Sequence, residues 1–155
     1  MKGVFGYTIL TGASCIMDIK EMKDRKRRYL LERPVAMEVT TDTGILNVRT
    51  EPGFVFDGRS GPVCIDWYAP NLGSLDERMA WLMHDALGYG QSLGFHDTNR
   101  ILRYFLRDIC GYRKSKAWLI EQAVSISKSW YGTPDPSDWC YNNITKVSTL
   151  WIPAP

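Results

Sequence analysis

The sequence lacks several features that would place a protein in a familiar class. No apolar run approaches the roughly 20 residues that a membrane-spanning helix needs, and Val4–Leu10 is interpreted as a first strand, not a signal peptide. The four cysteines lie far apart with no C-x-x-C pair, which argues against a zinc ribbon or a thioredoxin-like redox site. Isolated cysteines are usually small buried hydrophobes, as in a reducing compartment. A net charge of +2 gives no reason by itself to expect nucleic-acid binding.

Motifs for common enzyme chemistry are missing too: the chain has no glycine-rich phosphate loop, no H-E-x-x-H and no G-x-S-x-G. What it has is the composition of a folded domain, with 45% hydrophobic and 23% charged residues over a length of 155. We therefore expect one α+β domain over residues 1–155: a β-rich part over 1–70, a helical part over 74–131 and an extended tail over 133–155.

The β-rich part is predicted to contain antiparallel hairpins. Residues 35–41 alternate between apolar and polar, Asp42-Thr43-Gly44 forms a turn, and a second strand follows over 45–50. Another short strand is expected at 54–56, after Pro52-Gly53. Between the first strands, Lys20–Arg33 is rich in Lys and Arg. It is interpreted as a solvated loop or a charged edge, with contact to nucleic acid or an acidic partner as the alternative.

About three packed helices are expected next. Ser74 and Glu77 form a capping box that starts the first helix, and Gly88 and Gly90 end it. The second is predicted from about residue 98 to 110 and the third from about 115 to 130. The tail is rich in aromatic residues and proline without a clear period, so we expect it to be irregular and to wrap the domain or a neighbouring subunit.

The candidate chemistry centres on the two histidines of the chain, each of which is followed by aspartate: His84-Asp85 and His96-Asp97. Imidazole and carboxylate are ligands for zinc and other divalent ions, and they also form acid–base pairs. Adjacent helical residues point about 100° apart, so a metal site at His84 would need a ligand from elsewhere, for example Asp97.

Structural roles are open for the same residues. Asp97 can be the N-cap of the second helix, His84 can be a half-buried histidine with Asp85 as a surface acid, and His96 can be a loop residue. A tight turn follows the strand at 54–56, with Asp57-Gly58 and then Ser60-Gly61-Pro62, and it can form a polar site or a simple Asx-turn.

Three segments in this order resemble an uncharacterised domain family common in phages and prophages. They are Phe56–Pro62, Met83–Leu87 and His96-Asp97, against the family pattern T-D-G-x-S-x-P, H-D-x-L-Y and A-D opening a helix. The resemblance covers roughly residues 35–130. The chain departs from it at Phe56, Arg59, Gly88 and His96.

The resemblance singles out a set of polar positions as a candidate catalytic site: Asp57, Ser60, His84, Asp85 and Asp97. Within that set, His84, Asp57 and Asp97 are the candidate ligands for zinc or another divalent metal. The function it implies is a virion component, in the tail or baseplate, that binds other phage structural proteins or itself. The alternatives are an active metal-dependent hydrolase of cell-wall or phosphodiester substrates, in which the metal would activate water, and a small anti-defence protein in the infected cell.

Overall fold

Strands form the first part of the chain and helices the middle. The computed structural model describes residues 1–10, 19–21, 29–56, 74–126 and 141–155. The strands are β1 (Val4–Ile9), β2 (Ile19–Glu21), β3 (Tyr29–Leu31), β4 (Val35–Thr41), β5 (Gly44–Thr50), β6 (Val55–Phe56) and β7 (Val147–Pro153). The helices are α1 (Leu75–Gly90), α2 (Phe95–Asp108), α3 (Lys114–Ile126) and a 3₁₀ helix (Tyr141–Lys146). The predicted α+β class, with an antiparallel sheet before three helices, is confirmed.

The main sheet is antiparallel throughout and has the strand order β1-β4-β5-β7. The predicted β4–β5 hairpin is present, with Thr41 paired to Gly44 beside the turn. Burial alternates along both strands, since successive side chains point to opposite faces. Gly44 cannot be replaced easily, because a Cβ there would lie 2.3 Å from the Ile152 carbonyl oxygen.

The carboxyl-terminal segment is more regular than predicted. Residues 147–153 were expected to be irregular, but they form β7, which pairs with β5 from Gly44–Pro153 to Thr50–Val147. Val147, Thr149 and Trp151 are half-buried, while the residues between them are exposed. The exposed set includes Leu150 and Ile152, and these apolar residues hide the alternation in the sequence. The part of the tail from 133 to 140 lies outside the described residues.

The helix boundaries follow the capping signals only in part. Ser74 and Glu77 make both hydrogen bonds of the predicted capping box, and α1 ends at Gly90 with Gln91 in the left-handed region. The second helix starts three residues before the predicted Thr98. Gly94 is its N-cap and provides no side-chain bond, so the prediction of Asp97 as N-cap is wrong. His96 belongs to the first turn of α2, not to a loop.

The helices pack on one face of the main sheet, α1 against β5 and β7 and α2 against β1. They enclose a core whose largest fully buried side chains include Met37, Leu46, Phe54, Phe56, Met79, Leu82, Met83, Leu102 and Phe105. A smaller sheet, β2-β3-β6, adjoins them. Asn143 anchors the carboxyl-terminal segment to it, because its buried side-chain amide both accepts from the Val55 N–H (3.0 Å) and donates to the Val55 carbonyl (2.6 Å).

The first strand is fixed to the end of α2. Asp108 accepts a hydrogen bond from the Val4 N–H at 3.0 Å and is paired with Arg107, which donates in turn to the Lys2 carbonyl.

The ends of the basic segment Lys20–Arg33 lie in or beside β2 and β3, and residues 22–28 are outside the described part. Within the described ranges, no helix is long and apolar enough to span a bilayer.

Candidate functional site: a buried histidine cluster

His84 lies in the middle of α1 and is 2% exposed, and the adjacent Asp85 is 4% exposed. The interpretation of a half-buried histidine beside a surface acid is therefore wrong about burial. Every residue of α1 from Met79 to Gly88 is buried. A helix that is buried on all sides lies inside a protein and not on its surface. Polar side chains at such positions need hydrogen-bond partners.

Both ring nitrogens of His84 have partners within the protein. Nε2 lies 2.9 Å from Oδ1 of Asn99 on α2, and Nδ1 lies 3.3 Å from Oδ1 of Asp85. The indole of Trp81, one turn earlier, meets the imidazole edge to face, with 6.2 Å between the ring centroids. A metal ion at His84 would have to displace Asn99 or Asp85 to reach a ring nitrogen.

A chain of hydrogen bonds continues from His84 to α3 and has a definite direction. The Ser125 hydroxyl donates to the Glu121 carbonyl oxygen at 2.7 Å, which leaves the hydroxyl oxygen to accept from Asn99 Nδ2 at 3.1 Å. Asn99 Oδ1 is thereby turned towards His84, so Nε2 carries a hydrogen and donates it. The cluster of Asp85, His84, Asn99 and Ser125, which we call the histidine cluster, thus links all three long helices.

The other predicted site residues do not join the histidine cluster in the described part of the chain. On α2, Asn99 faces His84, and residues two apart on a helix point roughly 200° apart. Asp97 accordingly faces outward: its side chain is 52% exposed and accepts a bond from Arg100 at 3.4 Å. Asp57 and Ser60 lie outside the described residues. Convergence of Asp57 on His84 therefore stays a prediction.

No group of three or more His, Cys, Asp or Glu side chains is placed to hold a metal among the residues that can be described. Of the three predicted metal ligands, which are His84, Asp57 and Asp97, Asp97 does not fit, because its side chain points away from His84. The observed geometry therefore has a structural effect: the buried imidazole of His84 and its hydrogen-bond partners link the three helices.

Sequence reasoning missed Asn99 and Ser125. A signal for Asn99 is present: it lies three residues before Leu102 and seven before Leu106, which places a polar side chain on the apolar stripe of α2. A buried amide on such a stripe needs a polar partner on a neighbouring helix. His84, the one histidine within the apolar stripe of α1, was the natural candidate.

A second polar group surrounds the first turn of α1. Tyr7 of β1 donates to Asp76 at 2.6 Å, and Tyr112 donates to Glu77 at 2.7 Å. Burial, and then the hydrogen bond to Asp76, raise the pKa of Tyr7 above its usual range. Burial also raises the pKa of Cys110 to about 12, with the carboxylates of Asp76 and Glu77 adding to the effect. Cys110 is therefore not an activated thiolate.

Comparison with known proteins found no matching family model, no similar curated protein and no similar solved structure. The resemblance to the phage family rests on the motifs quoted above, and arguments about function rest on the residues themselves.

Proposed function

We propose that this chain is a structural component of a phage particle, in the tail or baseplate, which binds neighbouring subunits through the outer part of its main sheet. In this proposal the histidine cluster stabilises the helices that support the sheet. Two independent observations support the proposal. The sequence motifs support the phage setting, and the exposed apolar surface of β7 supports a role in binding neighbouring subunits.

The proposed role in binding neighbouring subunits rests on the position of β7. This strand is the last of the sheet, and two large apolar side chains on its outer face, Leu150 and Ile152, are 57% and 45% exposed. They are adjacent on one face because they are two residues apart in a strand. An edge strand with exposed apolar residues is a ready site for binding another chain. Assembly proteins use such surfaces.

The setting is supported by the resemblance of Phe56–Pro62, Met83–Leu87 and His96-Asp97 to a phage and prophage family. Binding of nucleic acid through Lys20–Arg33 has less support. The net charge is only +2, and β2 and β3 near the ends of this segment belong to a small sheet.

A metal-dependent hydrolase is the second candidate, and one observation favours it. His84 and Asp85 lie within 3.3 Å of each other in a buried environment, where an imidazole–carboxylate pair can serve as acid and base. Against it, protein atoms already lie against both imidazole nitrogens, Asn99 Oδ1 at Nε2 and Asp85 Oδ1 at Nδ1. Elemental analysis of the purified protein, together with melting curves before and after chelation, tests this candidate. Stoichiometric metal whose removal lowers the melting temperature would support it.

The particle proposal is tested on phage particles produced from the genome that encodes the chain. Mass spectrometry of gradient-purified particles should detect the protein in a fixed ratio to other virion proteins. A version with Leu150→Glu and Ile152→Glu should fold normally, since both positions are exposed, yet it should be depleted from particles.

The matched control is Trp118→Glu, which places a charge at a 47% exposed apolar residue of α3, a helix that packs on α2. This variant should enter particles like the unmodified protein. A protein that is abundant in infected cells but absent from purified particles would contradict the proposal and favour the anti-defence alternative.

A further inference from the structure

The two outer strands of the main sheet differ in how their edges are protected. At β1, the Asp108 carboxylate accepts a hydrogen bond from the Val4 N–H, and the register shifts between Val4 and Gly6 as in a β-bulge. Bulges and covering elements are common means of preventing edge-to-edge pairing. At β7, the corresponding protection found within the described part of the chain is Pro153, at the end of the strand. Among the residues that the structure describes, no strand pairs with the second side of β7.

The hydrogen bonds at both ends of β7 show which of its backbone groups face this open side. The Glu51 N–H donates to the Lys146 carbonyl, and the Ala154 N–H donates to the Thr43 carbonyl. Even-numbered residues of the segment therefore bond to β5, and the alternation of an antiparallel ladder directs odd-numbered residues the other way. Val147, Thr149 and Trp151 accordingly present their N–H groups at the open edge.

The open edge is complementary to itself. An antiparallel second copy offers carbonyl groups with the same two-residue spacing. Full overlap of Val147–Pro153 with itself places Leu150 opposite Leu150 of the second copy. In this register the N–H of Thr149 meets the carbonyl of Trp151, that of Trp151 meets Thr149, and that of Val147 meets Pro153. Pro153 has no N–H to donate back to the Val147 carbonyl, so this terminal pair makes one hydrogen bond instead of two.

The side chains agree with this register. Between Val147 and Pro155 there is no Asp, Glu, Lys or Arg, so no like charges face each other across a twofold axis. Leu150 is 57% exposed, and in a non-hydrogen-bonded pair at the axis it would contact its own counterpart. The exposed Ile152 would lie beside it, opposite Ser148. Two sheets of four strands would become one continuous sheet.

We propose that β7 pairs with β7 of a second copy of this chain, in antiparallel orientation, with Leu150 at the twofold axis. This inference rests on the proposed function in one respect only, which is that the β7 edge binds another subunit. It names the partner as the same chain and fixes the register.

The test is analytical ultracentrifugation of the full chain, with three single variants. The unmodified protein should sediment as a dimer in reversible equilibrium with monomer. Leu150→Glu brings two carboxylates together at the axis and should raise the dimer dissociation constant by more than about tenfold. Phe5→Glu is the matched control: it replaces a 72% exposed apolar residue at the protected edge, and it should leave the dimer unchanged.

A mixing experiment tests the register itself. Leu150→Lys should also be monomeric, but an equimolar mixture with Leu150→Glu should restore dimers, since opposite charges would then meet at the axis. Circular dichroism spectra of each variant should match the unmodified protein, and so should melting curves recorded at concentrations where the unmodified protein is monomeric.

Monomeric unmodified protein at all concentrations would overturn the self-pairing proposal, and the particle proposal would stand if the protein were still found in particles. Dimers that persist in Leu150→Glu would exclude this edge as the dimer interface. Absence of rescue in the mixture would exclude the register. Dimers with the expected variant behaviour but no protein in particles would leave self-pairing valid and contradict the particle role alone.

Discussion

Replacement of Asn99 by leucine tests whether the histidine cluster holds the helices together. Asn99 is 1% exposed and His84 is 2% exposed, so water cannot replace the lost bond. Asn99→Leu leaves the Nε2 hydrogen of His84 buried without its acceptor. Such a loss costs about 1–3 kcal/mol. Ser125 keeps its bond to the Glu121 carbonyl and adds little to the cost.

The measurement is urea unfolding followed by tryptophan fluorescence, with a thermal melt beside it. For a protein of this size, a loss of about 2 kcal/mol lowers the melting temperature by about 4–8 °C. The double variant His84→Leu with Asn99→Leu should lose less than the sum of the two single variants, by about 1 kcal/mol or more, because each single change leaves the other polar group unpaired.

Asp97→Ala is the control for this experiment. It lies on the same helix, its side chain is half exposed, and its ion pair with Arg100 is at the surface, so its effect should stay within about 0.5 kcal/mol. If Asn99→Leu melts like the unmodified protein, the hydrogen bond to His84 does not stabilise the fold and the structural role of the cluster is refuted.

Four further predictions concern the surroundings of the sheet. Because the pKa of Cys110 is raised to about 12, iodoacetamide at pH 8 should modify it at least about a hundredfold more slowly than a free cysteine, as measured by peptide mass spectrometry. The same shift predicts stability that is lost as pH rises from about 9 towards 12. Burial raises the pKa of Asp108, but hydrogen bonds from the neighbouring guanidinium and from Val4 outweigh it, so the net shift is downward. Asp108→Asn should therefore be less stable by about 1–2 kcal/mol at pH 7, and the difference should shrink as pH falls below about 4; a constant difference in acid titrations followed by circular dichroism would contradict this. Gly90→Ala should cost about 1–3 kcal/mol, because a Cβ there would lie 2.3 Å from Oγ1 of Thr149; adding Thr149→Ala should restore most of the loss in a melting experiment.

The sequence predicted those elements whose local signals agree with their final environment. The β4–β5 hairpin has alternating residues and a turn with Gly44, and the first helix has a capping box at Ser74. β7 was missed because its exposed face carries Leu150 and Ile152 where polar residues were expected. An apolar outer face removes the alternation that identifies a half-buried strand.

The candidate site was predicted less completely, for a physical reason. His84 and Asp85 were identified as chemically able residues, but their partner on the next helix was taken to be Asp97. Asp97 was expected at the N-cap, but α2 starts at Phe95 with Gly94 as N-cap, so Asp97 lies within the helix, two residues from Asn99 and on the opposite face. The apolar stripe of α2 sets the phase of the helix, and Asn99 lies on this stripe whereas Asp97 does not.

Hydrogen–deuterium exchange of the β7 amides, resolved by NMR, tests most directly the claim that this edge is the binding surface. Leu150 and Ile152 amides should be protected at every protein concentration, because they bond to β5. Val147, Thr149 and Trp151 amides should exchange rapidly at low concentration and become protected as dimers form. Rapid exchange of these three amides in the assembled state, or protection of all of them in the monomer, would contradict the account.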